Sequence, residues 1–409
     1  MGEARYFTAR QAADELGVSV ATLYAYVSRG WIRSEAAGES RRTRRYRAED
    51  VRKLKERKEQ RRDPGRVAES ALRWGTPVME SAITLISDDK LYYRGRNAVD
   101  LAAGSTIEEV AALIWTGDPA TAGRIFDTGP LVLSPRYNAG SENVAGLAPV
   151  EAFQVLLPLA AVEDLAAYDL RPAAVARTGA RILRLMAAIA TEDEAAGGSV
   201  AETLQRGWLP REPEAKALFD SALVLCADHE LNVSTFAARC VASSDAPSYA
   251  AVVAGLAALQ GAKHGGQTEL VEVLLREAET SDDARKVTAG RLKRGESVPG
   301  FGHSLYPGGD PRGAELLRLA AAARPRSPAV ALSAGVAEGA LSLIGDRPTV
   351  DFGLATLARA LGLPPGGAKA LFAMGRTVGW IGHAIEQYVG GSLIRPRARY
   401  VGEQPAGSA

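Results

Sequence analysis

The feature that most constrains this chain is a long succession of helical patterns between residue 150 and the C-terminus. Apolar residues recur at helical spacings over stretches of roughly 10 to 20 residues, and Gly or Pro interrupts each stretch. No run of alternating apolar and polar residues is long enough for a central sheet. Ala and Gly are abundant, whereas the 409 residues include only 8 Phe and 5 Trp, a composition typical of closely packed helices. We therefore predict a mainly helical protein.

No segment of the sequence has the pattern of a signal peptide or a membrane span. The N-terminal residues MGEARYFTARQ are polar, and no run of about 18 apolar residues occurs. The two cysteines, Cys226 and Cys240, lie in one helical stretch without a partner motif, which indicates small buried thiols and no disulfide. These observations predict a cytoplasmic protein with no membrane partner.

The first 60 residues have the pattern of a winged helix-turn-helix domain. Residues 8–11, Thr-Ala-Arg-Gln, have the form of a capping box, so they predict the start of a first helix, and Gly17 predicts its end. Ser19 predicts the cap of a second helix, which Gly30 closes. Three apolar residues at helical spacing share one face of that second helix: Val20, Leu23 and Val27.

A basic wing is predicted after the second helix, and a third helix after the wing. The wing consists of Trp31-Ile32-Arg33, a turn at Gly38 and the run RRTRRYR, and the third helix starts with Val51 and Leu54. Residues 5–58 resemble the winged helix-turn-helix of the MerR and excisionase-like families, which implies contact with DNA. The alternative is an oligomerisation or regulatory module. Five arginines favour phosphate contact: Arg41, Arg42, Arg44, Arg45 and Arg47.

Charge is distributed unevenly along the chain. Residues 1–66 contain 17 Lys+Arg and 10 Asp+Glu, whereas the remainder contains 32 and 38. A basic head on an acidic body indicates a separate partner for the head, with nucleic acid the first candidate. The polar stretch that ends in Gln60-Arg61-Arg62-Asp63-Pro64-Gly65 predicts a linker at residues 61–74.

Three of the four histidines lie in polar or Gly-punctuated segments. His229 occurs in CADHELNVST, His264 in GAKHGGQTEL and His303 in VPGFGHSLYPGGDPRG. No HxxxH or HxH pair and no Cys cluster accompanies them, so we predict no metal site. His383 lies on a predicted helix, where we expect a packing or interface role.

These segments resemble the citrate synthase family in order, spacing and local sequence, together with three others: SAITLISDDKLYYRG near residue 81, PTVDFGLA around Asp351 and GRTVGWIGHAIEQYVGGSLIRPRARYVG at the C-terminus. The resemblance covers residues 75–402. It implies a two-domain helical fold behind the helix-turn-helix domain of residues 1–60. A large domain would comprise residues 75–265 and 366–409, and a small domain residues 266–365.

The resemblance also implies a role for each motif residue. Asp351 would be the base that removes a proton from the acyl-CoA, His264 the donor to the enolate oxygen, and His303 the group that polarises the carbonyl of oxaloacetate. Four residues would bind the carboxylates: His229, Arg312, Arg376 and Arg395. Arg395 would come from the partner subunit, so a homodimer with shared active sites is implied. Five residues would lie along the CoA adenine: Val298, Pro299, Gly300, Phe301 and Gly302.

These residue types suit carbon–carbon bond formation from a thioester. A weakly acidic methyl group requires a carboxylate base in a dry site and a donor for the developing enolate, and arginine binds carboxylates in a bidentate way. We expect condensation of acetyl-CoA with oxaloacetate to citrate and CoA, with no cofactor. Two alternatives remain: a 2-methylcitrate synthase that uses propionyl-CoA, and a DNA-binding metabolite sensor built on a synthase-like body.

Each of these residues also has a purely structural interpretation when it is taken singly. Asp351 can cap a helix, Arg376 can pair with a surface acid, and Gly300 and Gly302 can be ordinary turn residues. The sequence also departs from the usual family pattern at several positions near the catalytic residues: Ala262, Lys263, Gln267, Thr268, Pro307 and Thr349.

Overall fold

The computed structural model describes residues 6–28, 31–36, 44–48, 50–51, 54, 79–131, 135–193, 197–281, 283–396, 398 and 400–403. The chain divides into two compact units. The first, called the N-terminal unit, comprises residues 1–80 and 395–409, and the second, called the body, comprises residues 81–394.

The first helix of the N-terminal unit, α1 (Ala9–Leu16), begins and ends as predicted. The Thr8 side chain accepts a hydrogen bond from the backbone of Gln11, and the Gln11 side chain accepts one from the backbone of Thr8. This reciprocal pair is a capping box. Gly17 follows the helix with a φ of 58°, a left-handed conformation that glycine adopts without steric cost.

The second helix, α2 (Val20–Ser28), starts next to Ser19, whose hydroxyl accepts a hydrogen bond from the Thr22 amide at 3.2 Å. The predicted cap is therefore confirmed, while Gly30 lies outside the described residues. The helices bury a small core with parts of the strands and of a third helical stretch: Ala12, Ala13, Leu16, Leu23, Ile32, Tyr46, Val51 and Leu54.

Three short antiparallel strands complete the N-terminal unit. They are β1 (Tyr6–Phe7), β2 (Ser34–Ala36) and β3 (Arg44–Arg47), with β3 in the centre. The basic run therefore includes a strand. Val51 and Leu54 are helical, as predicted, and both are buried. Four positions of the predicted wing lie outside the described part of the chain: Gly38, Arg41, Arg42 and Thr43.

The body begins with a small antiparallel sheet: β4 (Thr84–Ser87), β5 (Lys90–Tyr93) and β6 (Arg96–Asn97). The segment SAITLISDDKLYYRG predicts a short hairpin around Asp88 and Asp89, and the hairpin between β4 and β5 turns at these two residues. Their φ angles are 52° and 55°, as two-residue hairpin turns with the strand's own twist require.

Helices form the rest of the body. The first eight are α3 (Ala98–Gly104), α4 (Ile107–Thr116), α5 (Ala122–Phe126), α6 (Pro135–Glu142), α7 (Pro149–Glu163), α8 (Pro172–Thr191), α9 (Val200–Trp208) and α10 (Ala215–Cys226). The next eight are α11 (Val233–Ala242), α12 (Ser248–Leu259), α13 (Gly266–Glu279), α14 (Arg285–Lys293), α15 (Pro311–Ala323), α16 (Pro328–Ile344), α17 (Val350–Leu361) and α18 (Gly367–Gly390). Short 3₁₀ segments follow α4 and α7: Pro119–Thr121 and Leu165–Tyr168. None of the helices in the described residues is long and apolar enough to span a bilayer.

Helix α18 is the central element of the main core. Trp380 is completely buried and packs closely on Gly255 of α12. Gly379 of α18 lies so close to Asp228 that a Cβ atom at this position would overlap its carboxylate. Small residues thus allow α18 to approach its neighbours at backbone distance. The predicted mainly helical fold is confirmed.

A second hydrophobic cluster lies within the predicted small domain. It consists of Val271, Leu274, Leu275, Ala278, Val336, Phe352 and Ala355. Helices α15 and α17 also contribute Leu316 and Leu354 to the main core, so they contact both clusters. Residues 81–394 form one compact unit, and the division at residues 265 and 365 stays a prediction. The predicted linker lies outside the described residues.

Candidate active site

Most of the predicted site residues line one cavity of about 280 Å³ in the body. It lies where the N-termini of α13 and α17 meet α18 and the loop before α15. Nine predicted residues line it: His229, His264, Gly300, Phe301, Gly302, His303, Arg312, Asp351 and Arg376. Six residues without a predicted role complete the lining: Asn232, Lys263, Gln267, Thr349, Val350 and Phe372.

His229 and His303 lie side by side in this cavity. Their ring centroids are 5.2 Å apart, and His229 Nε2 lies 3.0 Å from the Tyr306 hydroxyl. The backbone amide of Leu305 donates a hydrogen bond to His303 Nδ1 at 3.2 Å. Because Nδ1 accepts this bond, a neutral His303 carries its proton on Nε2. His303 can therefore donate a hydrogen bond from Nε2.

His264 lies two residues before α13, and a residue of α11 holds its ring. Its Nε2 atom lies 2.8 Å from the hydroxyl of Ser234, near the start of α11. The indole of Trp380 donates a hydrogen bond to the same hydroxyl at 3.3 Å. Since Nε2 is occupied, Nδ1 is the ring nitrogen left for a ligand.

Asp351 lies in the first turn of α17. The hydroxyl of Thr268, on α13, donates a hydrogen bond to Asp351 Oδ1 at 2.7 Å. The hydroxyl of Thr349, the residue that precedes α17, is buried, has no hydrogen-bond partner among the described residues and belongs to the lining of the cavity.

The two arginines of the cavity differ in their partners. Arg312 forms two side-chain hydrogen bonds to Asp310, at 2.9 and 2.8 Å, and both side chains are almost fully buried. Arg376 is 1% exposed. Its Nε donates to the backbone carbonyl of Cys226 at 3.0 Å, and no carboxylate of the described residues forms an ion pair with it. Within the part of the chain that the structure describes, Arg376 is thus a buried cation without a counter-ion in contact.

Burial and positive charge keep the three histidines neutral at pH 7. Burial and, to a smaller extent, the charge of Arg376 together lower the pKa of His264 to about 4. Burial and Arg312 likewise lower the pKa of His229 and His303. Neutral imidazoles keep an N–H donor without adding charge to the cavity.

The carboxylate of Asp351 is shifted in the opposite direction. Burial raises its pKa, while the Thr268 hydrogen bond and the charge of Arg312 lower it. The result is a carboxylate more basic than an exposed Asp, as a general base requires.

The loop at residues 298–302 forms one edge of the cavity. Gly300 and Gly302 have φ angles of 83° and 76°, which favour glycine. The backbone carbonyl of Gly300 accepts a hydrogen bond from the Thr349 amide at 2.9 Å, so this loop is joined to the start of α17. Val298 packs against the second hydrophobic cluster and Pro299 is buried, and neither lines the cavity.

Two further residues singled out in the sequence lie away from the cavity. Arg395 is exposed, belongs to the N-terminal unit and is not part of the lining. His383 is completely buried, with Nε2 3.4 Å from Asp228 Oδ2, which agrees with the packing role expected for it.

Four polar residues that support the site were not assigned a role from sequence. They are Ser234, Thr268, Tyr306 and Asp310. Only Asp310 has a local signal, because Asp before Pro is typical of a helix start, and its side chain does accept from the Arg312 amide at the start of α15. The other three contact residues distant in sequence.

The comparisons with known proteins agree with this geometry. The family model for the citrate synthase C-terminal domain matches residues 71–397, and a helix-turn-helix domain model matches residues 6–59. A citrate synthase from Haloferax volcanii is 34% identical over 81% of this chain and 95% of its own length. A 2-methylcitrate synthase from Shewanella oneidensis is 29% identical over 81% of this chain and 94% of its own length.

The fold comparison gives the same result. The crystal structure of citrate synthase from Thermotoga maritima superposes with a TM-score of 0.70 and 27% identity, covering 82% of this chain and 96% of that one. The N-terminal unit therefore contains a helix-turn-helix domain, and the chain as a whole belongs to the citrate synthase family of acyltransferases.

Proposed function

We propose that this enzyme condenses acetyl-CoA with oxaloacetate and releases citrate and CoA. The observation that carries the proposal is the combination, in one cavity, of a basic, partly buried carboxylate, three neutral histidines and a buried arginine that forms no ion pair within the described part of the chain. A buried unpaired cation is costly. It favours an anionic ligand, and a dicarboxylate matches the two arginines.

In the first step Asp351 removes a proton from the methyl group of acetyl-CoA. His264 donates a hydrogen bond to the thioester oxygen, where negative charge develops. The resulting enol carbon attacks the ketone carbon of oxaloacetate, and His303 donates the proton of its Nε2 to the ketone oxygen. Water then cleaves the thioester of the citryl-CoA intermediate, which gives citrate and free CoA.

The acyl-CoA would lie along residues 298–302. The backbone at Gly300 and Gly302 is free of side chains, so a ligand can approach it closely. Propionyl-CoA is the alternative substrate, and the 2-methylcitrate synthase among the relatives favours testing it. One methylene is worth only about 1 to 3 kcal/mol of discrimination, so acetyl-CoA and propionyl-CoA are expected to differ in rate rather than in the residues used.

The active enzyme would be a homodimer in which Arg395 of one subunit completes the other subunit's site. Arg395 is exposed and does not line the cavity within its own chain. An exposed arginine next to the C-terminal end of the body is free to reach a partner. It would add a third cation to the dicarboxylate site.

A second function is proposed for the N-terminal unit, which would bind DNA. Strand β3 supplies Arg44 and Arg45, which are exposed, and Arg47, which is partly exposed. Arg45 and Arg47 remain 48% and 40% exposed although both lie near Glu35. Weak surface pairs of this kind leave the cations available to phosphates.

The enzymatic proposal is tested with the purified full-length chain. CoA release is measured with oxaloacetate plus either acetyl-CoA or propionyl-CoA, and the product is identified by mass spectrometry. We expect citrate from acetyl-CoA, with a higher kcat/KM than for propionyl-CoA. A reversed preference would assign 2-methylcitrate synthesis. Oxaloacetate binding without condensation of either acyl-CoA would favour the metabolite sensor.

A further inference from the structure

Thr268 makes the one side-chain hydrogen bond to the predicted base that the described residues contain. Its hydroxyl lies 2.7 Å from Asp351 Oδ1, and the residue is 1% exposed. No side chain of the same described set bonds Oδ2. The two oxygens of Asp351 are therefore unequal: Oδ1 is held by the protein, and Oδ2 is left for a ligand.

The bond also joins two elements that carry reacting groups. Thr268 is in the first turn of α13, four residues after His264, whereas Asp351 is in the first turn of α17. These residues lie 83 positions apart in the sequence. A hydroxyl that spans this gap fixes the carboxylate relative to the imidazole, and both must face the same two-carbon unit during enolisation.

We propose that Thr268 is a positioning residue, whose hydroxyl holds Asp351 Oδ1 so that Oδ2 faces the acyl methyl group. The inference rests on the proposed condensation and adds a residue to it. A hydroxyl that donates to a carboxylate stabilises the ionised form of that carboxylate. Thr268 therefore orients the base and also keeps it ready to accept a proton.

Several charged and titratable groups besides Thr268 surround Asp351 and affect its protonation. Arg312 on α15 favours the carboxylate form, whereas Asp310 at the start of α15 opposes it. On α10, burial raises the pKa of Cys226 to about 12, so this thiol stays neutral. His264 is neutral as well. The Arg376 guanidinium on α18 stays charged. None of these groups replaces the hydroxyl that contacts Oδ1.

Thr268→Val removes the hydroxyl and keeps the shape of the side chain. We expect kcat to fall by roughly 10- to 100-fold, the usual worth of a hydrogen bond to a charged group, while the KM for oxaloacetate stays within about twofold. The pKa of Asp351 rises when the donor is lost, so the acidic limb of the pH profile of kcat moves to higher pH. Thr268→Ser restores the donor and is expected to recover both kcat and the profile.

A matched control comes from the same region of the fold. Thr356 is 1% exposed on α17, and its hydroxyl contacts Ser333 at 3.0 Å, away from the cavity. Thr356→Val removes a buried hydroxyl of similar kind. It should lower the melting temperature as much as Thr268→Val does, and leave the pH profile unchanged.

The outcomes separate this inference from the proposed function. A Thr268→Val enzyme with unchanged kcat and an unmoved acidic limb overturns the positioning role. Equal loss of kcat in Thr268→Val and Thr356→Val, with no pH displacement in either, overturns it too. If the unmodified chain neither condenses acetyl-CoA nor exchanges its methyl protons with solvent in the presence of oxaloacetate, the proposed function fails and this role fails with it.

Discussion

In the N-terminal unit, the arginines of β3 lie on the surface and two of them share Glu35, whereas in the body Arg312 and Arg376 are almost completely buried. Surface ion pairs contribute about 0 to 1 kcal/mol, and salt screens them. A buried cation has to overcome a desolvation cost of several kcal/mol. Exposed arginines can therefore serve an external partner at little cost to the fold, while buried ones indicate a site within it.

The comparison predicts that changes in the cavity affect turnover far more than changes on the surface. The largest effect is expected for Asp351→Asn, which nearly preserves shape but cannot accept a proton at neutral pH. Turnover should fall by roughly 10² to 10⁴, the usual worth of a positioned general base. Oxaloacetate affinity should survive. Calorimetry with oxaloacetate beside single-turnover citrate formation separates the two, and methyl-proton exchange as fast as in the unmodified chain would assign the base elsewhere.

The second prediction concerns Arg395, an exposed arginine that is proposed to complete the active site of the partner subunit. Arg395→Ala and Asp351→Ala chains should each be nearly inactive as homodimers. After subunit exchange, a hybrid dimer has one site with neither defect, so an equal mixture should recover about a quarter of the unmodified activity if assembly is random and two-fold symmetric. Activity that stays at the level of the separate variants, with exchange confirmed by native mass spectrometry, would show that each chain forms its own site.

The two buried arginines sharpen the comparison within the body. Arg376→Ala and Arg312→Ala should each weaken oxaloacetate binding by roughly 10- to 100-fold, since each removes a charged hydrogen-bond donor. Their effects on folding should differ. Arg312→Ala leaves Asp310 buried and without its ion-pair partner, which costs about 3 to 5 kcal/mol of unfolding free energy, whereas Arg376→Ala removes the partner of no carboxylate in the described residues. Calorimetric affinity and thermal denaturation of both variants measure the contrast, and equal destabilisation would contradict it.

The smallest effect on turnover is expected on the surface. Replacing Arg44, Arg45 and Arg47 together by Gln should leave kcat unchanged and weaken duplex DNA binding. The slope of log K against log salt should become shallower by about 0.9 for each phosphate that the variant no longer neutralises. A chain beginning at Arg66 should keep synthase activity without DNA affinity. Salt-independent binding, or no binding of the unmodified chain to any duplex, would remove the DNA hypothesis.

Local signals in the sequence predicted the local structure well. The Thr8–Gln11 capping box and the turn at Asp88–Asp89 each depend on residues within one turn of chain, so their types suffice to specify them. Most of the cavity could be predicted as well, because the histidine, aspartate and arginine motifs resemble a known family in their order.

The supporting hydrogen bonds could not be predicted in this way. Tyr306 contacts His229 across 77 positions, and Thr268 contacts Asp351 across 83. No periodicity relates such positions, because only the packing of α13, α15 and α17 brings them together. Thr268 stood out in the sequence only as a departure from the family pattern. Its hydrogen bond to Asp351 depends on the packing of α13 beside α17.

The close approach of α18 to the segment after α10 has a mechanical consequence. The carbonyls of Cys226, the last residue of α10, and of Ala227, the next residue, are both hydrogen-bonded to α18: Cys226 accepts from the Arg376 side chain at 3.0 Å, and Ala227 accepts from the Gly379 amide at 2.9 Å. These two hydrogen bonds join α18 to the C-terminal end of α10, so we expect the two to move together. His229 lies two residues after Ala227. We therefore expect the distance between His229 and Arg376 to stay constant. Any adjustment to the length of a bound dicarboxylate then falls to the wall formed by α13, α15 and α17.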